Sequence, residues 1–242
     1  MSQLAQRLLM AAGGAKKDTI YVEDVFSTHL YEGNDGYINV DNGIKLGNSK
    51  AGASVNLAGG TGDYLNLAAS TDFQWAGDFT AECWFNIDAL SGQDGIFNLG
   101  EYDVTGGFEF LIQSTGTILF YSHNGNNAAT RMTSATGIVV PGQWHHTAVV
   151  RSGSTVSMYL DGVSRGSYTD STTFGAGSNN SLVIGAGYNG SYMEYFDGNI
   201  SNVRIVKGTA VYTSNFTPPT EELTNITNTK LLCCQSSTSA TA

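Results

Sequence analysis

The residues best suited to chemistry crowd into one short stretch: Tyr188, Asn189, Tyr192, Glu194, Tyr195 and Asp197. Tyrosine offers a rigid apolar face with a polar tip, so three of them on a turn would stack on a sugar ring while Asn, Glu and Asp bond its hydroxyls. The same rings would also serve to pack an edge of the fold or a neighbouring subunit. His145 and His146 invite a metal or acid–base reading. Adjacent strand residues point to opposite faces, however, and no third ligand lies at useful spacing, so they read as structural. His29 and His123 are isolated. Cys83 lies in a strand-like run, and Cys233 and Cys234 are neighbours, too close to bridge without strain and unlike any zinc spacing. Three such cysteines make no disulfide framework and point to synthesis in a reducing cytosol. No serine–histidine–aspartate arrangement is readable, and no Gly-Lys-Ser/Thr phosphate loop occurs.

What positions these residues is a chain of 242 residues with 41% hydrophobic and 11% aromatic residues. A chain of that length buries about 70–75% of its unfolded surface and needs no disulfide or metal staple. Charged residues are only 13% of the total, with 30 glycines and 3 prolines. That mixture suits many short strands joined by tight turns and excludes a coiled coil or a disordered chain. The net charge of −10 is uneven: residues 51–130 hold no Lys or Arg, while Asp63, Asp94, Glu109 and other acids fall there. Such a surface repels phosphate, which excludes nucleic acid as a partner. The acids would also attract Ca²⁺, but no loop presents a recognisable cluster of oxygen ligands. No cofactor is therefore expected and no metal ligand is assigned; the acidity reads as a solvated face. No apolar run approaches the roughly 18 residues of a membrane span, so no insertion is expected, and the polar opening does not read as a signal peptide.

Residues 1–50 read as an arm and residues 51–242 as a single domain. In the arm, Leu4, Leu8 and Leu9 fall on one face of a short helix ended by Gly13-Gly14, and Arg7, Lys16 and Lys17 make it basic. A helix this short is marginal alone, so it would gain order by docking on a partner or on a second copy. From residue 51 the period is two. Phe79, Ala81, Cys83 and Phe85 alternate with Thr80, Glu82, Trp84 and Asn86; Phe108, Phe110 and Ile112 alternate with Glu109 and Leu111. Val156, Met158 and Leu160 follow the same rule, and Asp161-Gly162 then supplies a hairpin turn. Asn124-Gly125, Asn189-Gly190 and Asp197-Gly198 are read as further turns. The fold class is all-β: a two-sheet antiparallel jelly-roll sandwich with an N-terminal arm containing a short helix.

Five segments in order carry a resemblance. They are Asp78-Phe79-Thr80-Ala81-Glu82-Cys83-Trp84-Phe85, Gly142-Gln143-Trp144-His145-His146, Met158-Tyr159-Leu160-Asp161-Gly162, Leu182-Val183-Ile184-Gly185 and Phe196-Asp197-Gly198-Asn199-Ile200. Together they resemble laminin-G-like, concanavalin A-like lectin domains. Val25-Phe26-Ser27-Thr28 near the start, with Tyr212, Phe216-Thr217-Pro218-Pro219 and Lys230-Leu231-Leu232-Cys233-Cys234 near the end, resemble lectin-like virion proteins of marine tailed bacteriophages. In that likeness residues 230–234 form the closing strand, pairing near the first strands of residues 55–67.

The resemblance implies a non-enzymatic virion structural protein, attached to a capsid or tail through the arm and displaying the sandwich on the particle surface. It would be made in the host cytoplasm and would form a homo-oligomer with other virion proteins as partners. The alternative is a tail adhesin that binds a host surface glycan. Glucanases resemble the same fold and carry a Glu-x-Asp-x-Glu strand. Here Glu101 and Asp103 begin such a pattern, but Thr105 stands where the second Glu belongs. A retaining glycosidase needs both carboxyls, so hydrolysis is not expected.

Overall fold

A computed structural model describes residues 38–40, 45–47 and 53–235, apart from 101–103, 124–127, 177–179 and 189–191. The helix and docking residues expected at Leu4, Arg7, Leu8, Leu9, Lys16 and Lys17 lie outside the described residues, as do Glu101 and Asp103. The first strands are β1 (Ile38–Val40), β2 (Lys45–Gly47), β3 (Ser54–Ala58), β4 (Leu65–Leu67), β5 (Phe79–Ile87) and β6 (Gln93–Leu99). Then come β7 (Phe108–Gln113), β8 (Thr117–His123), β9 (Ala128–Thr133), β10 (His145–Ser152), β11 (Thr155–Leu160) and β12 (Val163–Thr169). The last are β13 (Leu182–Ile184), β14 (Gly187–Tyr188), β15 (Tyr192–Met193), β16 (Asp197–Lys207) and β17 (Thr229–Cys233).

The strands form two antiparallel sheets. One runs β1-β4-β13-β6-β7-β8-β9; the other runs β12-β11-β10-β5-β16-β3-β2, with β17 also on β16. Strands β1 and β2 thus add to the edges of the sandwich, pairing with β4 and β3. The period-two residues meet between the sheets: Phe79, Cys83, Phe85, Phe108, Phe110, Ile112, Val156, Met158 and Leu160 share one core. At Asp161 and Gly162, φ values of 53° and 74° make the hairpin turn that joins β11 to β12.

Two local expectations are corrected. Asp197-Gly198 is not a turn but the start of β16. Glycine is required there because a Cβ on Gly198 would lie 2.1 Å from the Asn86 carbonyl oxygen of β5. The closing strand β17 pairs with β16, from Val203↔Cys233 to Val206↔Thr229, rather than with residues 55–67. Strand β16 is long enough to pair β3 through Asp197–Ile200 and β17 further along, so the two lie in line. The Ala53 N–H, donating to the Gln235 carbonyl, joins their ends.

The outer face of the eight-stranded sheet is sealed. Residues Ala210, Tyr212 and Phe216 pack on Ala148, Val150 and Tyr159, with the Tyr212 and Phe216 rings stacked 3.6 Å apart. Beneath them Glu82 is fully buried. Its Oε1 accepts from Arg204 Nη2 at 2.6 Å, and its Oε2 accepts from the Tyr212 hydroxyl at 2.7 Å and faces His146 Nε2 at 3.2 Å. The segment of Tyr212 and Phe216 is therefore, in this fold, the cover of a buried ion pair. A ligand must be sought elsewhere.

Candidate functional site

The opposite sheet carries the tyrosines. Strands β14 and β15 pair through Gly187↔Met193 and Tyr188↔Tyr192, and this small sheet seats against β6. Gly95 permits the approach, since a Cβ there would lie 2.4 Å from the Ala186 carbonyl carbon. The Gly95 N–H then donates to the Glu194 carbonyl at 2.7 Å. Tyr195 is half-buried, stacked on Tyr64 with centroids 6.2 Å apart, and packs on Val183 and Ala186. Tyr188 is half-buried too.

Glu109 is the residue that sequence reasoning missed. It projects from β7 on the side away from Phe108 and Phe110, and its Oε1 accepts the Tyr188 N–H at 3.4 Å. Glu194 reaches the same place: a Cβ on Gly187 would lie 2.6 Å from Glu194 Oε2 and 3.4 Å from Glu109 Oε1. Burial pushes Glu109 up to about 7, with the Glu194 charge adding and the Tyr188 N–H opposing. Burial also raises Glu194. Asp94, beneath the same turn, rises to about 6 through burial, opposed by the Asp197 N–H and reinforced by the charges of Asp197 and Glu194. In sequence Glu109 is one polar residue in an alternating strand, and nothing local marks it.

Of the six residues singled out, the fold thus gathers Tyr188, Glu194 and Tyr195 over the outer face of the seven-stranded sheet, around its middle strand β6. Tyr192 pairs with Tyr188 through its backbone, and Asn189 lies outside the described residues. Asp197 turns toward the sandwich rim, where burial and the charges of Asp88 and Asp63 raise its carboxyl.

Both histidines are held in place. His145 Nε2 accepts the Val140 N–H at 3.1 Å, so its Nδ1 carries the proton it donates to Asp161 at 2.7 Å. His146 lies on the opposite face, against Glu82. The string Gly162-Val163-Ser164-Arg165-Gly166 matches a serine elbow by letter, but Ser164 sits on the edge strand β12 rather than at a strand-to-helix turn. Among the described residues, no group of three or more His, Cys, Asp or Glu is placed to hold a metal. Among the same residues, no helix is long and apolar enough to cross a membrane.

A two-sheet antiparallel sandwich with a tyrosine–carboxyl face over one sheet defines a lectin-like fold. Residues 59–211, more than half of the chain, match Laminin_G_3, the concanavalin A-like lectin/glucanases superfamily, and the chain belongs to that family. Domain 4 of a GH43 extracellular arabinanase from Geobacillus stearothermophilus, solved in complex with arabinotriose, is similar at 21% identity and a TM-score of 0.56. The match covers 73% of this chain and 84% of that one. The binding domain of Paraclostridial mosquitocidal protein 1 gives 12% identity and a TM-score of 0.57, over 79% of this chain and 51% of its own. The botulinum neurotoxin serotype G binding domain gives 11% and 0.56, over 75% and 45%. The match therefore spans about half of each toxin binding domain. The curated proteins compared include no match.

Proposed function

We propose that this chain is a non-enzymatic lectin-like binding protein of a tailed-phage particle, taking a glycan at the face formed by Tyr188, Glu194 and Tyr195. The observation that carries the reading is the asymmetry of the sandwich. One sheet's outer face is covered by Tyr212 and Phe216, while the outer face of the other gathers half-buried aromatic rings and carboxyls. Rings of this kind stack on sugars, and carboxyls accept their hydroxyls. The arabinanase domain, whose fold is similar, was solved with a bound sugar. Attachment to the particle is assigned to the arm, where Leu4, Leu8 and Leu9 would be buried and Arg7, Lys16 and Lys17 would meet an acidic partner.

Tyr188→Ala is expected to weaken binding to host cells or to an oligosaccharide by about 1 kcal/mol, roughly fivefold, with the melting temperature unchanged. Binding equal to the parent in both Tyr188→Ala and Tyr195→Ala would remove the tyrosine face from the reading. Reducing-end release from a β-glucan would overturn its non-enzymatic part.

Quantitative mass spectrometry of purified particles tests the rest. Deleting residues 1–20 is expected to abolish incorporation while the sandwich stays folded, and normal incorporation would sink the docking role. Tens to hundreds of copies per particle place the chain on the capsid as cover. A number matching tail symmetry makes it the host-binding adhesin.

A further inference from the structure

Under the binding face the fold forces two carboxyls together. Glu109, 7% exposed, stands beneath the strand pair β14–β15 and holds it through the Tyr188 N–H. Glu194 comes from the turn after β15, in a left-handed conformation with φ 54°, and its Oε2 is buried with no hydrogen-bond partner. Asp94, 3% exposed, lies under the same turn with Oδ2 unpartnered, and its charge interacts with that of Glu194. The groups around Glu109 are therefore Glu194 from the turn, the Tyr188 N–H from β14, Asn98 from β6, and Tyr121 and His123 on the same face of β8. No lysine or arginine occurs between residues 51 and 130 to neutralise the pair.

We infer that Glu109 and Glu194 are a proton latch for the β14–β15 pair: with Glu109 protonated the pair seats on the sheet, and with both carboxylates charged it lifts. The sign follows from the geometry. Seating buries Glu109 against a like charge, which favours its neutral form and raises its carboxyl to about 7. Seating therefore takes up a proton, and acid favours the seated state while alkali opposes it. Tyr188 is carried on β14, so lifting removes it from the ligand face. That consequence rests on the glycan reading; the latch itself does not.

Hydrogen exchange of the amides of residues 187–188 and 193–195, at pH 6 and pH 8 and corrected for intrinsic rate, tests the latch. Protection in the parent is expected to fall by about tenfold or more, the equivalent of one pKa unit of coupling. It is expected to stay flat in Glu109→Gln, which keeps an acceptor for the Tyr188 N–H. Glu194→Gln is expected to lessen the fall without abolishing it, because burial alone still raises the Glu109 carboxyl, and it serves if the first variant fails to fold. Strand β10 reports folding in each case. Unchanged protection in the parent, or the same loss in parent and variants, overturns the latch.

An array of neutral and sialylated oligosaccharides, probed at both pH values, separates the two ideas. Amides that titrate without any oligosaccharide binding leave the latch standing and remove the glycan reading. Binding that is equal at both pH values, with exchange unchanged, removes the latch and keeps the glycan reading.

Discussion

Arg151→Met is expected to destabilise the protein by about 4 kcal/mol. Arg151 lies on the core face of β10, opposite Phe79, and is 1% exposed. Among the described residues its guanidinium forms no ion pair within 4 Å, though the charges of Asp170 and Asp78 act on it; it donates to three backbone carbonyls, of Gly77 at 2.7 Å, Trp75 at 2.6 Å and Thr172 at 2.5 Å. Phe79 and Phe174 flank it, with centroids 5.6 and 5.4 Å from the guanidinium carbon. The arginine thus ties two loops that also bond each other, Trp75 N–H to the Phe174 carbonyl and Phe174 N–H to the Trp75 carbonyl. Methionine fills most of the volume but supplies no donor, so the Gly77 and Thr172 carbonyls lose this partner while the Trp75 carbonyl keeps the Phe174 N–H, at about 1–3 kcal/mol for each bond lost before water relieves some of them. Lysine keeps the charge but cannot reproduce the planar fork, so Arg151→Lys should lose roughly half as much. Urea unfolding at constant m-value measures both. A loss below about 1 kcal/mol for Arg151→Met would show that the loops hold without it.

Glu82→Ala is expected to cost about 3–5 kcal/mol, because it strands charges rather than merely removing a contact. Arg204 and His146 would be left buried without their carboxylate, and the Tyr212 hydroxyl without its acceptor. The pH dependence gives a sharper test. Burial pushes the Glu82 carboxyl up, but the bonds and charges of His146, Arg204 and Tyr212 outweigh it and hold the group below its ordinary 4.5. Its contribution is therefore present above pH 4.5 and is lost as pH falls through the lower folded value. Glu109 acts with the opposite sign. Its folded value of about 7 favours the native state in acid, and that advantage, roughly 3 kcal/mol, disappears as pH rises from 4.5 to 7. Thermal melts should show Glu82→Gln flattening the acid limb and Glu109→Gln flattening the limb between pH 4.5 and 7. Parallel profiles for parent and Glu82→Gln below pH 4.5 would contradict the buried-pair assignment.

The two networks also explain how the sandwich divides its labour. Glu82 and its cover close the outer face of the eight-stranded sheet, while the outer face of the second sheet carries half-buried tyrosines. A substitution at Tyr212 should therefore act on stability, and one at Tyr188 on binding.

The amino-acid sequence alone determined the fold class and much of the core. Side-chain direction in a strand alternates residue by residue, so the Phe79, Ala81, Cys83, Phe85 series declared its buried face without any knowledge of the partner sheet. Asp161-Gly162 declared its turn because the conformation it needs is cheap only for such residues. Where one signal has two causes, the local reading failed. Gly198 resembled a turn glycine, but it is there to let β5 approach. Only the tertiary structure decided the rest. Arg151 meets loops remote in the chain, Glu82 meets Arg204 and Tyr212, and Glu109 meets Glu194, each pair brought together by strand order across the sheets. A lone glutamate in an alternating strand looks like any solvated acid. Its altered ionisation comes from burial and from a second carboxyl delivered by a distant turn, and both are properties of packing that residue spacing does not encode.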